Sequence, residues 1–205
     1  MRGAELMDEQ RTVQWDEPTW LNPPLAAEVD GDSLVITTRQ RSDFWRHTAY
    51  GIVHDSGHAL LTDIAHGRAV EVTFVNRFDT QFDQAGLLVR VDDETWIKAG
   101  VELSDGLPQL GAVVTHGQSD WSAAPVPEWA GRRVTVRASR IADALVIRAR
   151  CDDEAWRLVR LAPLSANAWA QAGPYCCSPE REGLQVRFTR FTTGPADRAV
   201  HEGPA

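Results

Sequence analysis

The chain has 205 residues, with 43% hydrophobic and 24% charged residues, which is typical of one soluble globular domain with its own core. A net charge of -8 argues against a nucleic-acid partner, and no apolar run approaches the roughly 20 residues of a membrane span. The N-terminus lacks the apolar segment of a signal peptide, and Cys176 and Cys177 are adjacent among only three cysteines. We therefore expect a cytoplasmic protein with reduced thiols and no membrane partner.

Residues 1–14 and 194–205 are polar and aperiodic, which predicts flexible tails on a single domain over residues 15–193. Within the domain, short alternating runs are separated by turn residues, a pattern typical of all-β proteins. The runs cover residues 33–38, 69–75, 85–91, 96–103, 110–115, 133–138, 144–150, 156–161 and 184–191. Ten or more strands, with almost no helical periodicity, predict two large antiparallel sheets packed face to face. One short helix over residues 165–171 is expected, with Ser165 as its N-cap.

The run 96–103 (WIKAGVEL) carries the strongest functional signal. Alternation in a strand buries one face, made of Ile97, Ala99, Val101 and Leu103, between the sheets with Leu87 and Val89. The opposite face carries Trp96, Lys98, Gly100 and Glu102. A flat aromatic ring, an ammonium, a bare backbone and a carboxylate make a poor water-facing surface and a good floor for a polar ligand.

Other strands also carry large polar residues on the face away from the core, among them Gln84, Arg90, Arg148 and Arg150. In a flat sandwich this face is simply solvated. In a curved sandwich it becomes the groove of a concave sheet. Residues of both charge signs, with tryptophan on the same rows, favour the groove.

The chain contains a set of short motifs in this order: WLNPP at 20–24, SDFWR at 42–46, FDQAGLLVR at 82–90, WIKAGVE at 96–102 and SDWS at 119–122. On these strings the chain resembles the DUF1349 family, also called the "regulation of enolase protein 1" family, over roughly residues 15–192. The family is similar in fold to concanavalin A-like lectins and glucanases. The resemblance implies a jelly-roll sandwich with a concave ligand face, and fold likeness alone assigns no activity.

The catalytic motifs of hydrolases do not fit. A retaining glucanase of this fold usually carries two carboxylates on one strand in an E-x-D-x-x-E pattern, and no strand here has it. Glu28 and Asp30 come nearest, but they run into a turn at Gly31. Ser119 and His116 lack the G-x-S-x-G elbow of a serine nucleophile.

Glu102 and Lys98 are the best candidates for acid/base catalysis. Their backbones lie about 13 Å apart on one strand face, so both can contact a single ligand over Gly100. The alternative is a structural ion network in which Arg90 or Arg148 is the partner.

Further ligand-binding candidates surround this pair, each with a structural alternative. Trp45 can stack on a sugar ring or fill a core, Asp120 and Trp121 can lie in a rim loop, and Asp83 can cap a turn. The full predicted ligand-binding set is Trp96, Asp83, Gln84, Arg90, Trp45, Trp121, Asp120 and Arg148.

No metal site and no cofactor are predicted, because His54 and His58 flank a glycine turn and are typical of surface histidines. The acidic strings at 92–94 and 152–154 are typical of solvated hairpin turns. Two functions remain open. One is a binding or regulatory module for a carbohydrate or sugar-like metabolite. The other is an enzyme, an isomerase, lyase or atypical hydrolase, with Glu102 and Lys98 as acid/base groups.

Overall fold

A computed structural model describes residues 9–204, and within them the chain is almost wholly β. Seventeen strands and one 3₁₀ turn (Pro127–Trp129) are present in those residues. The strands are β1 (Arg11–Thr12), β2 (Thr19–Leu21), β3 (Ala26–Asp30), β4 (Ser33–Thr37), β5 (Phe44–Arg46), β6 (Val53–Asp55), β7 (His58–Asp63), β8 (Arg68–Val75), β9 (Gln84–Arg90), β10 (Thr95–Ser104), β11 (Leu107–His116), β12 (Gln118–Pro125), β13 (Arg133–Ile141), β14 (Ala144–Cys151), β15 (Arg157–Pro163), β16 (Gln171–Cys177) and β17 (Gln185–Pro195).

The strands form two large antiparallel sheets, which confirms the predicted sandwich. The first has the order β15-β14-β13-β8-β17-β4-β3, with β1 added on β17. The second has the order β12-β11-β10-β9-β16-β7-β2. Strands distant in sequence are neighbours in both sheets, as in a jelly roll.

The core lies between the sheets, and the alternation of β9 and β10 fills it as predicted. Leu87, Val89, Ile97, Ala99 and Val101 are all buried in the main hydrophobic cluster. Leu103, predicted to be buried with them, is only half-buried. It lies at the end of β10, where the sheet turns at residues 105–106 and fewer neighbours cover it.

A separate hairpin, β5 and β6, packs on the outer face of the second sheet and changes the character of that face. Phe44 of the hairpin contacts Trp96 and Tyr175, with ring centroids 5.9 and 6.4 Å apart. A second hydrophobic cluster forms beneath it, made of Phe44, Ala59, Leu61, Leu88, Trp96, Val113, Tyr175 and Cys177. Part of the outer face of the second sheet is therefore buried beneath the hairpin.

The predicted helix over residues 165–171 is wrong. Residues 166 and 167 form a turn, and the stretch contains no helix. The guanidinium of Arg140 donates to the carbonyl oxygens of Ser165 and Ala168, at 3.1 and 2.8 Å. The Ser165 carbonyl also accepts from the Ala168 N–H at 3.1 Å, which closes a single turn, and the buried guanidinium binds the carbonyls on both sides of that turn in place of further helical hydrogen bonds.

The predicted tail boundaries do not coincide with the ends of the packed structure. Arg11–Thr12 pairs with β17, and Val13 is buried in the core. At the other end, the carboxylate of Asp197 is buried and accepts from Arg137 and Arg148 at 2.8 and 2.9 Å. The predicted tail at residues 1–8 lies outside the described residues.

In the described residues, no helix is both long and apolar enough to cross a membrane. All three cysteines are free and buried. Burial raises the pKa of the Cys151 thiol to about 11 and raises that of Cys177 well above its usual value, so neither is an activated nucleophile.

Candidate functional site

The register of β9, β10 and β11 produces three cross-strand rows on the outer face of the second sheet. One row is Leu88–Lys98–Val113 and another is Gln84–Glu102–Gln109. Between them lies Gly86–Gly100–Gly111, a row without side chains. A bare strip of backbone, the glycine row, thus separates Lys98 from Glu102.

Close backbone approach requires glycine at all three of these positions. A Cβ atom at Gly86 would lie 2.0 Å from the Ala99 carbonyl oxygen, one at Gly100 would lie 2.1 Å from the Ala85 oxygen, and one at Gly111 would lie 2.4 Å from the Ser122 oxygen. Only glycine fits when two backbones approach this closely. Because glycine has no side chain, the space above this row stays open.

Lys98 is almost completely buried and spans the glycine row. Its Nζ donates to Oε1 of Gln84 at 2.8 Å and to Oδ1 of Asp43 at 3.2 Å. Burial lowers the pKa of Lys98, but the negative charges of Asp43, Cys177 and Glu102, together with the hydrogen bond to Asp43, raise it by more. Lys98 therefore stays charged at neutral pH, with two of its three N–H donors occupied.

Glu102 lies directly opposite Gln84 in the sheet, so its carboxyl is close to the Lys98 ammonium without being bonded to it. Among the described residues, the Glu102 carboxyl has no hydrogen-bond or ion-pair partner. Glu102 is half-buried, and the partial desolvation of its carboxyl raises the pKa from 4.5 to about 7, while Lys98 opposes the shift and Asp43 adds to it. Near neutral pH this carboxyl exists in both protonation states, as an acid/base group requires.

Both groups face a cavity of about 460 Å³ between the sheet and the β5–β6 hairpin. That volume is within the ~300–1,000 Å³ of small-molecule sites. Its lining residues are Arg41, Asp43, Trp45, Tyr50, Ile52, His54, Phe82, Gln84, Lys98, Glu102, Val113, Trp121, Pro179 and Glu180. A niche of about 20 Å³ adjoins it above the glycine row, bordered by Lys98, Glu102, Gln109 and Tyr175 among others.

Two tryptophans supply aromatic walls to the cavity. Trp121 of the edge strand β12 is 43% exposed and lies across β11 from Lys98. Trp45 donates from its indole nitrogen to the Thr48 carbonyl at 2.9 Å and packs edge-on to Tyr50 at 5.7 Å. The hairpin tip therefore fixes the Trp45 ring.

Of the ten predicted site residues, the structure brings five together in this cavity: Trp45, Gln84, Lys98, Glu102 and Trp121. Trp96 is on the predicted face but is completely buried beneath Phe44, so no ligand can stack on it. Asp83 is buried as well, and the guanidinium of Arg181 binds it at 3.0 Å through Nε. Neither residue lines the cavity.

The remaining three predicted residues are engaged elsewhere. Arg90 forms a two-point ion pair with Asp55 at 2.7 and 2.8 Å. Asp120 pairs with Arg160 at 2.6 Å on the edge of the sandwich. Arg148 belongs to the other sheet, where it binds Asp197. The alternation signal located polar side chains, but it could not tell the two outer faces apart.

Sequence reasoning missed the contribution of the hairpin, namely Asp43, Tyr50, Ile52 and His54. The string at 42–46 marked the region, but no local pattern shows that it folds back over the sheet. His58, considered with His54 as a metal site, has both ring nitrogens engaged. Its Nδ1 is 2.8 Å from the Asn22 carbonyl and its Nε2 accepts from the Arg39 N–H at 3.0 Å.

These features define a class: an antiparallel β-sandwich with a ligand-sized, charged and aromatic cavity on one outer face. Residues 20–196 match the family described as "Protein of unknown function (DUF1349)", and the chain belongs to this family. It is 37% identical over 197 residues to the protein named "Regulation of enolase protein 1" of Saccharomyces cerevisiae. The alignment covers 96% of this chain and 99% of the yeast protein.

Solved structures agree on the fold. A functionally unknown protein from Saccharomyces cerevisiae matches with a TM-score of 0.84 and 36% identity, covering 89% of this chain and 98% of that chain. A xylan beta-1,4-xylosidase from Bacillus halodurans C-125 matches with a TM-score of 0.62 over 87% of this chain and 39% of that chain. At 14% identity the second match shows a shared fold alone.

Proposed function

We propose that the cavity between the second sheet and the β5–β6 hairpin binds a small, neutral, polyhydroxylated ligand of the carbohydrate class. The observation that carries the proposal is the pair of Lys98 and the unpartnered Glu102, which face one cavity of about 460 Å³. A partnerless carboxyl beside a buried ammonium costs stability and is typical of a site that awaits a ligand.

The chemistry of the walls favours sugars. A hydroxyl group both donates and accepts, so one ligand can donate to Glu102 and accept from the free N–H of Lys98. The rings of Trp45 and Trp121 suit the C–H face of a sugar. Anionic ligands are disfavoured because Asp43 already neutralises Lys98, and the carboxyls of Glu102 and Glu180 offset the remaining cation, Arg41.

The names of two similar proteins support a carbohydrate ligand and a regulatory role. The xylosidase that shares the fold acts on a carbohydrate by its title, and the yeast relative carries a regulatory name. The proposal accordingly includes a regulatory output of ligand binding. It also assigns the protein to the cytoplasm, where buried free thiols stay reduced.

A thermal-shift screen tests the proposal, because a ligand that binds only the folded state raises the Tm. The panel contains neutral monosaccharides and their phosphate esters. We expect neutral sugars to raise the Tm of the wild type and of Trp169→Ala, which removes a 61% exposed tryptophan that does not line the cavity. Trp121→Ala should lose the shift. No shift with any sugar, or an unchanged shift in Trp121→Ala, would contradict the proposal.

An enzyme that uses Glu102 and Lys98 is the second candidate function. The observation that favours it is the pKa of about 7 at Glu102, since a binding module needs no group poised between protonation states.

A further inference from the structure

The niche above the glycine row is too small for a sugar ring. At about 20 Å³ it holds one water-sized group. Lys98 and Glu102 both border this niche and the larger cavity. A ligand in the cavity can therefore place a single oxygen in the niche, beside Lys98 and Glu102, while the carbon atoms that carry it stay in the larger cavity.

We propose, building on ligand binding in this cavity, that the protein catalyses proton transfer at the carbon next to the carbonyl of an open-chain sugar or another small α-hydroxy carbonyl compound. Glu102 is the base and Lys98 holds the carbonyl oxygen.

The reaction needs no co-reactant, because the proton and the electron pairs all stay within the substrate and Glu102. The Glu102 carboxylate takes the proton from the α-carbon, and the electron pair of that C–H bond forms the carbon–carbon double bond. The carbonyl π pair moves to oxygen, where the Lys98 ammonium stabilises the negative charge. The Glu102 carboxylic acid then returns the proton, to the same carbon or to the former carbonyl carbon. The second outcome, with hydroxyl proton transfer between the two oxygens, is an aldose–ketose isomerisation.

The contacts of the two residues suit these roles. Asp43 and Gln84 fix Lys98 by two hydrogen bonds and leave one N–H free to donate to a substrate oxygen. Asp43 also keeps Lys98 charged, so it acts as an electrophile and not as a base. Glu102 has no such partner among the described residues, so no hydrogen bond must break before it accepts a proton.

The partial desolvation of the Glu102 carboxyl also favours its role as the base. A general base works best when its pKa is close to the operating pH, and burial raises that of Glu102 to about 7.

Deuterium exchange tests the inference directly. The protein is incubated in D₂O with dihydroxyacetone, glyceraldehyde, glucose or fructose, and proton NMR follows the loss of the α-C–H signal. We expect the wild type to accelerate exchange for at least one probe. Glu102→Gln should slow it by about 100-fold or more, the usual contribution of a general base. Glu28→Gln is the matched control and should leave exchange unchanged, because Glu28 is an exposed carboxylate on β3 of the other sheet and does not line the cavity.

The pH profile is a second readout that needs no variant. Exchange should rise with pH up to about 7, as Glu102 ionises, and then level off. A rate that is unchanged by Glu102→Gln, or flat from acidic to neutral pH, would overturn the inference.

Thermal shifts with the same probes separate this inference from the binding proposal. Binding without any exchange overturns the catalytic role and leaves binding intact. Neither binding nor exchange overturns both.

Discussion

Replacing Glu102 by glutamine should stabilise the protein in a pH-dependent way. The folded-state pKa of about 7, against an ordinary 4.5, means that the folded protein holds this proton more tightly than the unfolded chain. The stability that this proton contributes to the wild type is then fully present below about pH 4.5 and is lost as the pH rises through about 7. At about 1.4 kcal/mol for each tenfold difference in proton affinity, the loss reaches about 3 kcal/mol.

Glutamine cannot ionise, so the Glu102→Gln variant escapes this loss. Its stability relative to the wild type should increase by about 2–3 kcal/mol between pH 5 and pH 8. Urea unfolding followed by tryptophan fluorescence at both pH values measures this difference, and the comparison between pH values cancels any constant effect of the substitution.

Glu180→Gln controls for general electrostatics, because Glu180 is exposed on the rim of the same cavity. Its stability difference from the wild type is measured at the same two pH values as a reference. A Glu102→Gln difference that changes with pH no more than that of Glu180→Gln would refute the desolvated state of the Glu102 carboxyl. A variant less stable at pH 8 than at pH 5, relative to the wild type, would show that Glu102 is half of a structural ion pair.

Three further predictions concern the floor of the cavity and the core. Lys98→Met should destabilise the protein, by up to about 3 kcal/mol, because it leaves Asp43 without its cation; adding Asp43→Asn should recover part of that loss in urea unfolding. Gly100→Ala should lower the urea midpoint sharply, by at least about 2 kcal/mol in stability, since its Cβ would lie 2.1 Å from a backbone oxygen; a near-neutral result would show that the strands can separate there. Thiol titration should find no reactive cysteine in the native protein and three after unfolding, and fewer than three would indicate a disulfide.

The sequence predicted the fold and part of the site. Alternation in residues 96–103 correctly assigned Ile97, Ala99 and Val101 to the core and Lys98 and Glu102 to the opposite face. Alternation is a local property of a strand, and the pleat enforces it whatever packs above. It therefore predicts which face a side chain occupies, and it does not predict what covers that face.

The failures follow from contacts between distant segments. Trp96 shares a face with Lys98, but the β5–β6 hairpin returns over it and makes it a core residue. Asp43 is 55 residues from Lys98 in the chain, and no pattern in either segment indicates their ion pair. The helix expected at residues 165–171 failed for the same reason, since Arg140 on β13 takes its carbonyl groups.

The central claim, that a sugar-like ligand occupies the cavity above Lys98 and Glu102, is tested most directly by the indole N–H signals of the eight tryptophans. ¹⁵N-tryptophan-labelled protein is titrated with neutral monosaccharides and followed by NMR. The account predicts that the signals of Trp45 and Trp121 shift with at least one sugar, while that of the buried Trp129 stays in place. If no sugar shifts either cavity tryptophan, or if only tryptophans outside the cavity respond, the claim is contradicted.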